Sequence, residues 1–131
     1  MFTDAAREFL QKPLIARFSV IGSDGYPHTV PVWFKLDGDD IVMISTRDTR
    51  KVQYLLVNPK GALVVGGDAA DGSGYLIKGD CVIEEDPDDA WTRKLTHHYE
   101  PPEKAEQDIA DWADLDIIVI RLKPKIVIKV A

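Results

Sequence analysis

The sequence predicts a mainly β fold, an antiparallel sheet closed into a small barrel with a few peripheral helices outside it. Three observations carry this expectation. Short segments of alternating apolar and polar residues recur along the chain, and the early ones are joined by tight turns. The regular alternation of strand with helix that a doubly wound parallel sheet needs is absent. The 131 residues suit one domain, and no linker or internal repeat divides them, so a single domain over 1–131 is expected.

The elements follow in order. Thr3 to Gln11 reads as a short helix with Ala6, Phe9 and Leu10 on one side, ended by Pro13. Leu14 to Ile21 is a strand whose Leu14, Ala16, Phe18 and Val20 point one way. Ser23-Asp24-Gly25 then makes a hairpin turn. Tyr26 to Leu36 is the return strand, with Tyr26, His28, Val30, Val32, Phe34 and Leu36 on one face, and Asp37 to Asp40 turns the chain into a third strand, Ile41 to Ser45. A helix over Thr49 to Val57 follows, with Asp48 as N-cap, Val52, Leu55 and Leu56 as its buried stripe and Asn58-Pro59 as its stop. Ala62 to Val65 is a short apolar strand, 68 to 74 a loop, and Tyr75 to Glu84 a strand burying Tyr75, Ile77, Cys81 and Ile83. Asp86-Pro87 opens a helix on which Trp91, Leu95 and Tyr99 repeat every four residues. Pro101-Pro102 breaks it, and an acidic helix with Ala105, Ile109 and Trp112 comes next. Leu115 to Leu122 and Ile126 to Val130 are the last two strands, separated by Pro124.

Composition narrows the class. Sixteen Lys and Arg against 22 Asp and Glu leave a net charge of −6, which disfavours a nucleic-acid partner. The charge is unevenly spread: residues 80–116 hold 13 acids and three bases, while the remainder carries a positive excess that suits a small anionic ligand. One cysteine, Cys81, supports neither an internal disulfide nor a cysteine-based zinc site. No apolar run is long enough to cross a membrane as a helix, and the N-terminus has no signal-peptide pattern, so a cytoplasmic protein without a membrane partner is expected.

Two segments break local rules. First turns of helices favour acids, yet Arg50 and Lys51 sit in one, just after Arg47 and near the hydroxyls of Ser45, Thr46 and Thr49. Such crowding of positive charge becomes favourable when an anion such as phosphate fills the site; the alternative is that the cations are simply solvated, Asp48 offsetting one of them. Pro31 interrupts a convincing strand and cannot donate a ladder hydrogen bond, so it must lie on an edge or at a bulge. Beside Thr29 and Trp33, that edge could wall a flat ligand, or could merely discourage aggregation. The remaining candidates read as structural: consecutive His97 and His98 cannot face one metal and belong on the surface, His28 lies at the core or rim, Cys81 packs, and the acids cover solvated helix faces. No metal site, nucleophile–base pair or glycine-rich phosphate loop is present, and no catalytic residue is assigned.

Phe9-Leu10, Ile15-Ala16, Asp24-Gly25-Tyr26-Pro27-His28, Val30-Pro31-Val32-Trp33-Phe34, Ser45-Thr46, Thr49-Arg50-Lys51-Val52, Leu55 and Asn58-Pro59 occur in that order. Together they resemble the flavin-binding split β-barrel proteins related to pyridoxamine 5′-phosphate oxidase. The likeness covers most of residues 9–66, and the later half agrees in element order. It implies a split-barrel domain that binds FMN, a homodimer with cofactor sites at the subunit interface, and a flavin-dependent oxidoreductase acting on a small-molecule substrate. Thr29, Val30, Pro31, Val32 and Trp33 would lie along the isoalloxazine ring. Ser45 or Thr46, with Thr49, Arg50 and Lys51, would hold the ribityl phosphate. The C-terminal strand lacks the tryptophan usual in oxidases of vitamin B6, so that substrate is not expected. Relatives with a Pro-Val-Trp-Phe strand often use the deazaflavin coenzyme F-420, which leaves two alternatives to an FMN enzyme: a deazaflavin-dependent reductase of the same fold, or a non-catalytic flavin carrier.

Overall fold

The computed structural model describes all 131 residues. Helix α1 (Asp4–Leu10) is capped by Thr3, whose hydroxyl accepts from the Ala6 amide, and buries Ala6, Phe9 and Leu10. Strands β1 (Ala16–Ile21) and β2 (Pro27–Val32) form the first hairpin, with Gly25 at φ 82° in its turn. Strands β3 (Lys35–Asp37) and β4 (Asp40–Thr46) form the second, and α2 (Arg50–Val57) follows. Then come β5 (Lys60–Gly66), β6 (Gly74–Glu85), a 3₁₀ turn at Pro87–Asp89, α3 (Ala90–Tyr99), α4 (Pro102–Asp111) and β7 (Ile117–Lys129). No helix is long and apolar enough to cross a membrane.

The seven strands form one antiparallel sheet in the order β2-β1-β5-β6-β7-β4-β3. Its two outermost strands, β2 and β3, are separated in the chain by only Trp33 and Phe34. Laid flat, seven strands would put them about 29 Å apart at the usual inter-strand spacing. The three peptide links from Val32 to Lys35 reach about 11 Å at most. The sheet therefore has to curl until its edges meet, which is the split barrel. Its interior holds 19 buried residues, among them Phe18, Phe34, Met43, Leu63, Ile77, Ile120 and Leu122, closed off by α1 and α2. A smaller cluster of Val42, Leu95 and Val119, with Trp33, Ile44, Trp91 and Tyr99 packed against it, fastens α3 to the outside of β4 and β7.

Several expectations need correction. The return strand is not continuous to Leu36: it breaks at Trp33-Phe34, where the chain passes from one sheet edge to the other, and Tyr26 lies before β2 with 74% of its surface exposed. Conversely, the last two strands are one. Pro124 does not interrupt β7, because Lys125 bulges out of the ladder between the pairs Gly79–Pro124 and Lys78–Ile126. Thr49, not Asp48, occupies the N-cap of α2, and it makes no side-chain capping bond. Leu56 is not in the buried stripe; it is 63% exposed, leaving Val52 and Leu55 to face the core. Asp86 does cap the third helix, but across the 3₁₀ turn. Its buried carboxylate accepts from the Trp91 amide (2.8 Å), the Thr92 amide (2.9 Å) and the Thr92 hydroxyl (2.7 Å). Positive φ at Asp88 and Asp89 makes that reach feasible.

Candidate functional site

Pro31 lies on an edge strand, as its missing donor requires, opposite Arg17 of β1. Pro31, Val32 and Trp33 line a recess of about 370 Å³ together with Ile15, Ile44 and Lys51. The residue before β1, the end of β2 with the link after it, β4 and the first turn of α2 therefore meet there, although up to 36 positions separate them in sequence. Lys51 is half-buried, and that burial alone lowers its pKa below the ordinary lysine value, with no carboxylate near enough to offset it. Beside it, the leading amides of α2 have no intrahelical acceptor and receive none from the Thr49 side chain. An unpaired cation and uncapped helix amides next to an apolar shelf suit a ligand with a flat body and an anionic tail.

The other anticipated residues are placed differently. Ser45 is buried, and its hydroxyl lies 2.8 Å from that of Thr49 and donates to the Thr46 carbonyl at 2.9 Å, so these hydroxyls form a small cluster at the foot of α2. Arg50 is exposed. Thr46 opens on a different recess, shared with Asp48, Asp114 and Asp116, whose carboxylates would repel a phosphate. Thr29 is exposed on β2 and its hydroxyl meets that of Ser19 at 2.8 Å, while Val30 is half-buried; neither lines the Lys51 recess. Arg47, counted above among the crowded cations, is not available to a ligand. Its guanidinium donates to Asp116 (2.7 Å) and to both oxygens of Glu85 (2.7 and 2.8 Å), which hold its pKa above the ordinary arginine value.

Sequence reasoning missed Ile15 and Ile44 as lining residues, since both look like routine strand residues until the barrel curls. Trp33 is also more constrained than a free wall would be. Its indole stacks on the Tyr99 ring, with centroids 4.9 Å apart and planes within 6°. His98 is not a plain surface residue either: its Nε2 is buried without a hydrogen-bond partner, and burial lowers its pKa, while His97 pairs with Glu106 at 3.0 Å. Cys81 is buried, and burial pushes its thiol up to about 12, which suits packing and not reactivity.

The fold has clear relatives among solved structures. An F420 reductase superposes with a TM-score of 0.78 at 22% identity, covering 97% of this chain and 98% of that one. A conserved hypothetical protein from Mycobacterium tuberculosis gives 0.76 at 16% identity, over 98% of this chain and 84% of that one. HutZ, the heme storage protein from Vibrio cholerae, gives 0.69 at 16% identity, over 93% and 89%. At these identities the likeness is one of fold. No curated protein sequence matches the chain significantly. A family model described as pyridoxamine 5′-phosphate oxidase matches residues 2–124. The curled sheet, its edge-strand proline and that match over nearly the whole length lead to one conclusion: the chain belongs to the pyridoxamine 5′-phosphate oxidase family.

Proposed function

We propose that the protein is a cytoplasmic homodimeric flavoenzyme that binds FMN and exchanges hydride or electrons with a small organic substrate. The observation that carries this reading is the half-buried, unpaired Lys51 in one recess with Pro31, Val32 and Trp33. Members of the family bind flavin-type cofactors. On this reading Lys51, the leading amides of α2 and Arg50 hold the phosphate, with the Ser45–Thr49 hydroxyl pair beneath. Pro31, Val32 and Trp33 border the ring system inside the recess, Thr29 and Val30 continue the free edge of β2 outside it, and Pro31 and Trp33 shield one face from water. Bound FMN supplies the redox chemistry that no side chain here provides.

Support for the dimer comes from the outer sheet surface. The register places Pro31, Arg17, Val64, Leu76 and Ile128 in one row across five strands, and Val64 and Ile128 are 37% and 40% exposed. This partly apolar row begins at the recess, so a second copy seated on it would also cover the ligand. Sedimentation at micromolar concentration is expected to give a dimer, and a persistent monomer would count against this part of the reading.

A deazaflavin is the second reading, favoured by the end-to-end superposition with the F420 reductase. Storage without catalysis is the third, favoured by the likeness to HutZ. The purified protein is expected to carry a chromophore whose absorption spectrum and mass after acid release match FMN. Recovery of F-420 would transfer the assignment to the deazaflavin. Reduction of the bound flavin by a nicotinamide donor, followed by turnover with an acceptor, would exclude a carrier.

A further inference from the structure

Tyr99 is the last residue of α3, yet its hydroxyl lies at the seam where the barrel edges meet. It accepts a hydrogen bond from the Phe34 amide (2.9 Å) and donates its one proton to the carbonyl of Leu14 (2.7 Å), with the Phe34 carbonyl as a second acceptor at 3.0 Å. The residues next to these two anchor points are Ile15 and Trp33, and both line the Lys51 recess. The ring of the same tyrosine backs the Trp33 indole face to face. One side chain thus holds two walls of the recess through the backbone and supports one of them directly, although it lines none of it itself.

We infer that Tyr99 is a positioning residue for the flavin site: it clasps the Leu14-Ile15 and Trp33-Phe34 segments so that the recess keeps the shape the ring system needs. This role rests on the functional reading above. Burial raises the phenol pKa to about 12, so the hydroxyl stays protonated and able both to donate and to accept throughout the neutral range. Two packed segments pinned by one group move together, so releasing them broadens the recess without emptying the core, because the aromatic ring can remain stacked. If the clasp favours the bound geometry, a bound ligand must in turn favour the clasp.

The full chain is titrated with FMN, read by protein fluorescence and by the visible circular dichroism of the bound flavin. Tyr99→Phe keeps the ring and removes the hydroxyl. It is expected to weaken FMN binding about five- to tenfold and to change the shape of the flavin dichroism band. Thr92→Val loosens the start of α3 by removing the hydroxyl bond to Asp86, and it is expected to lower thermal stability while leaving affinity and band shape unchanged. Wild-type affinity with an unaltered band in Tyr99→Phe overturns the role. Should that variant not fold, hydrogen exchange on the unsubstituted chain decides: the Phe34 amide is expected to gain protection when FMN is added, and unchanged protection overturns the role. No FMN binding by the unsubstituted chain overturns the functional reading and this inference with it, whereas normal binding by the variant overturns the clasp alone.

Discussion

Lys51→Glu is expected to abolish retention of FMN, weakening binding by well over tenfold, or more than about 1.4 kcal/mol. The half-buried ammonium has no carboxylate partner to absorb the change, so the substitution both removes attraction and places a like charge beside the phosphate. Arg50→Glu reverses a charge that solvent screens, and it is expected to cost less. Isothermal titration with FMN on both variants tests the order; equal, small losses would remove Lys51 from the phosphate site. The same lysine sets a pH dependence. Its folded pKa is depressed, so the unfolded chain keeps the proton to higher pH. The cost of burying the charge is fully present below the depressed value and disappears as pH rises toward the ordinary lysine value. An anion in the recess would raise that pKa again. From the depressed value upward binding therefore takes up a proton, and affinity is expected to fall as pH climbs through the value of the free chain.

Gly79→Ala is expected to cost about 3 kcal/mol or more, lowering the melting temperature by about 10 °C. A Cβ at this position would overlap the Lys123 carbonyl and stand 2.8 Å from its carbon and 3.0 Å from the Cα of Pro124, all backbone atoms of β7 that cannot rotate away. Gly25→Ala provides the contrast. Nothing lies within 4 Å of a Cβ there, and only the left-handed backbone, φ 82°, opposes it, at about 1–2 kcal/mol. Thermal melts of the two variants separate close approach from backbone strain; similar small shifts would mean that β7 can move off β6 at little cost.

The close approach at Gly79 also explains one limit of sequence reasoning. Pro124 reads as a strand break because its own backbone lacks a donor, but its ladder neighbour is a glycine and the next residue, Lys125, bulges outward, so the strand continues. Local signals were sufficient where one face of an element is buried and the other is wet, as in β1, whose Ala16, Phe18 and Val20 alternate with exposed or half-buried residues. They were insufficient where the partner is remote. Arg47 looks like a free cation beside Arg50 and Lys51, and only the fold brings Glu85 and Asp116 onto it from 38 and 69 residues away. Similarly, Pro31 announced an edge by its chemistry, whereas the Tyr99 clasp spans 85 and 65 residues and has no motif. At the candidate site, residue types pointed to an anion near α2 and an edge near Pro31; that Lys51 alone of the basic trio shares a recess with that edge depends on how far the sheet curls.

The strand order has a consequence for synthesis. β7 lies between β6 and β4 and is the only link through which the second hairpin joins the rest of the sheet. In the sheet, the ladder between the first two hairpins can be completed only once β7 has been synthesised, because it is the strand that bridges them and it follows all the others in the chain. Ile41 and Met43, buried in the finished barrel opposite Leu122 and Ile120, lack that cover until β7 has been made.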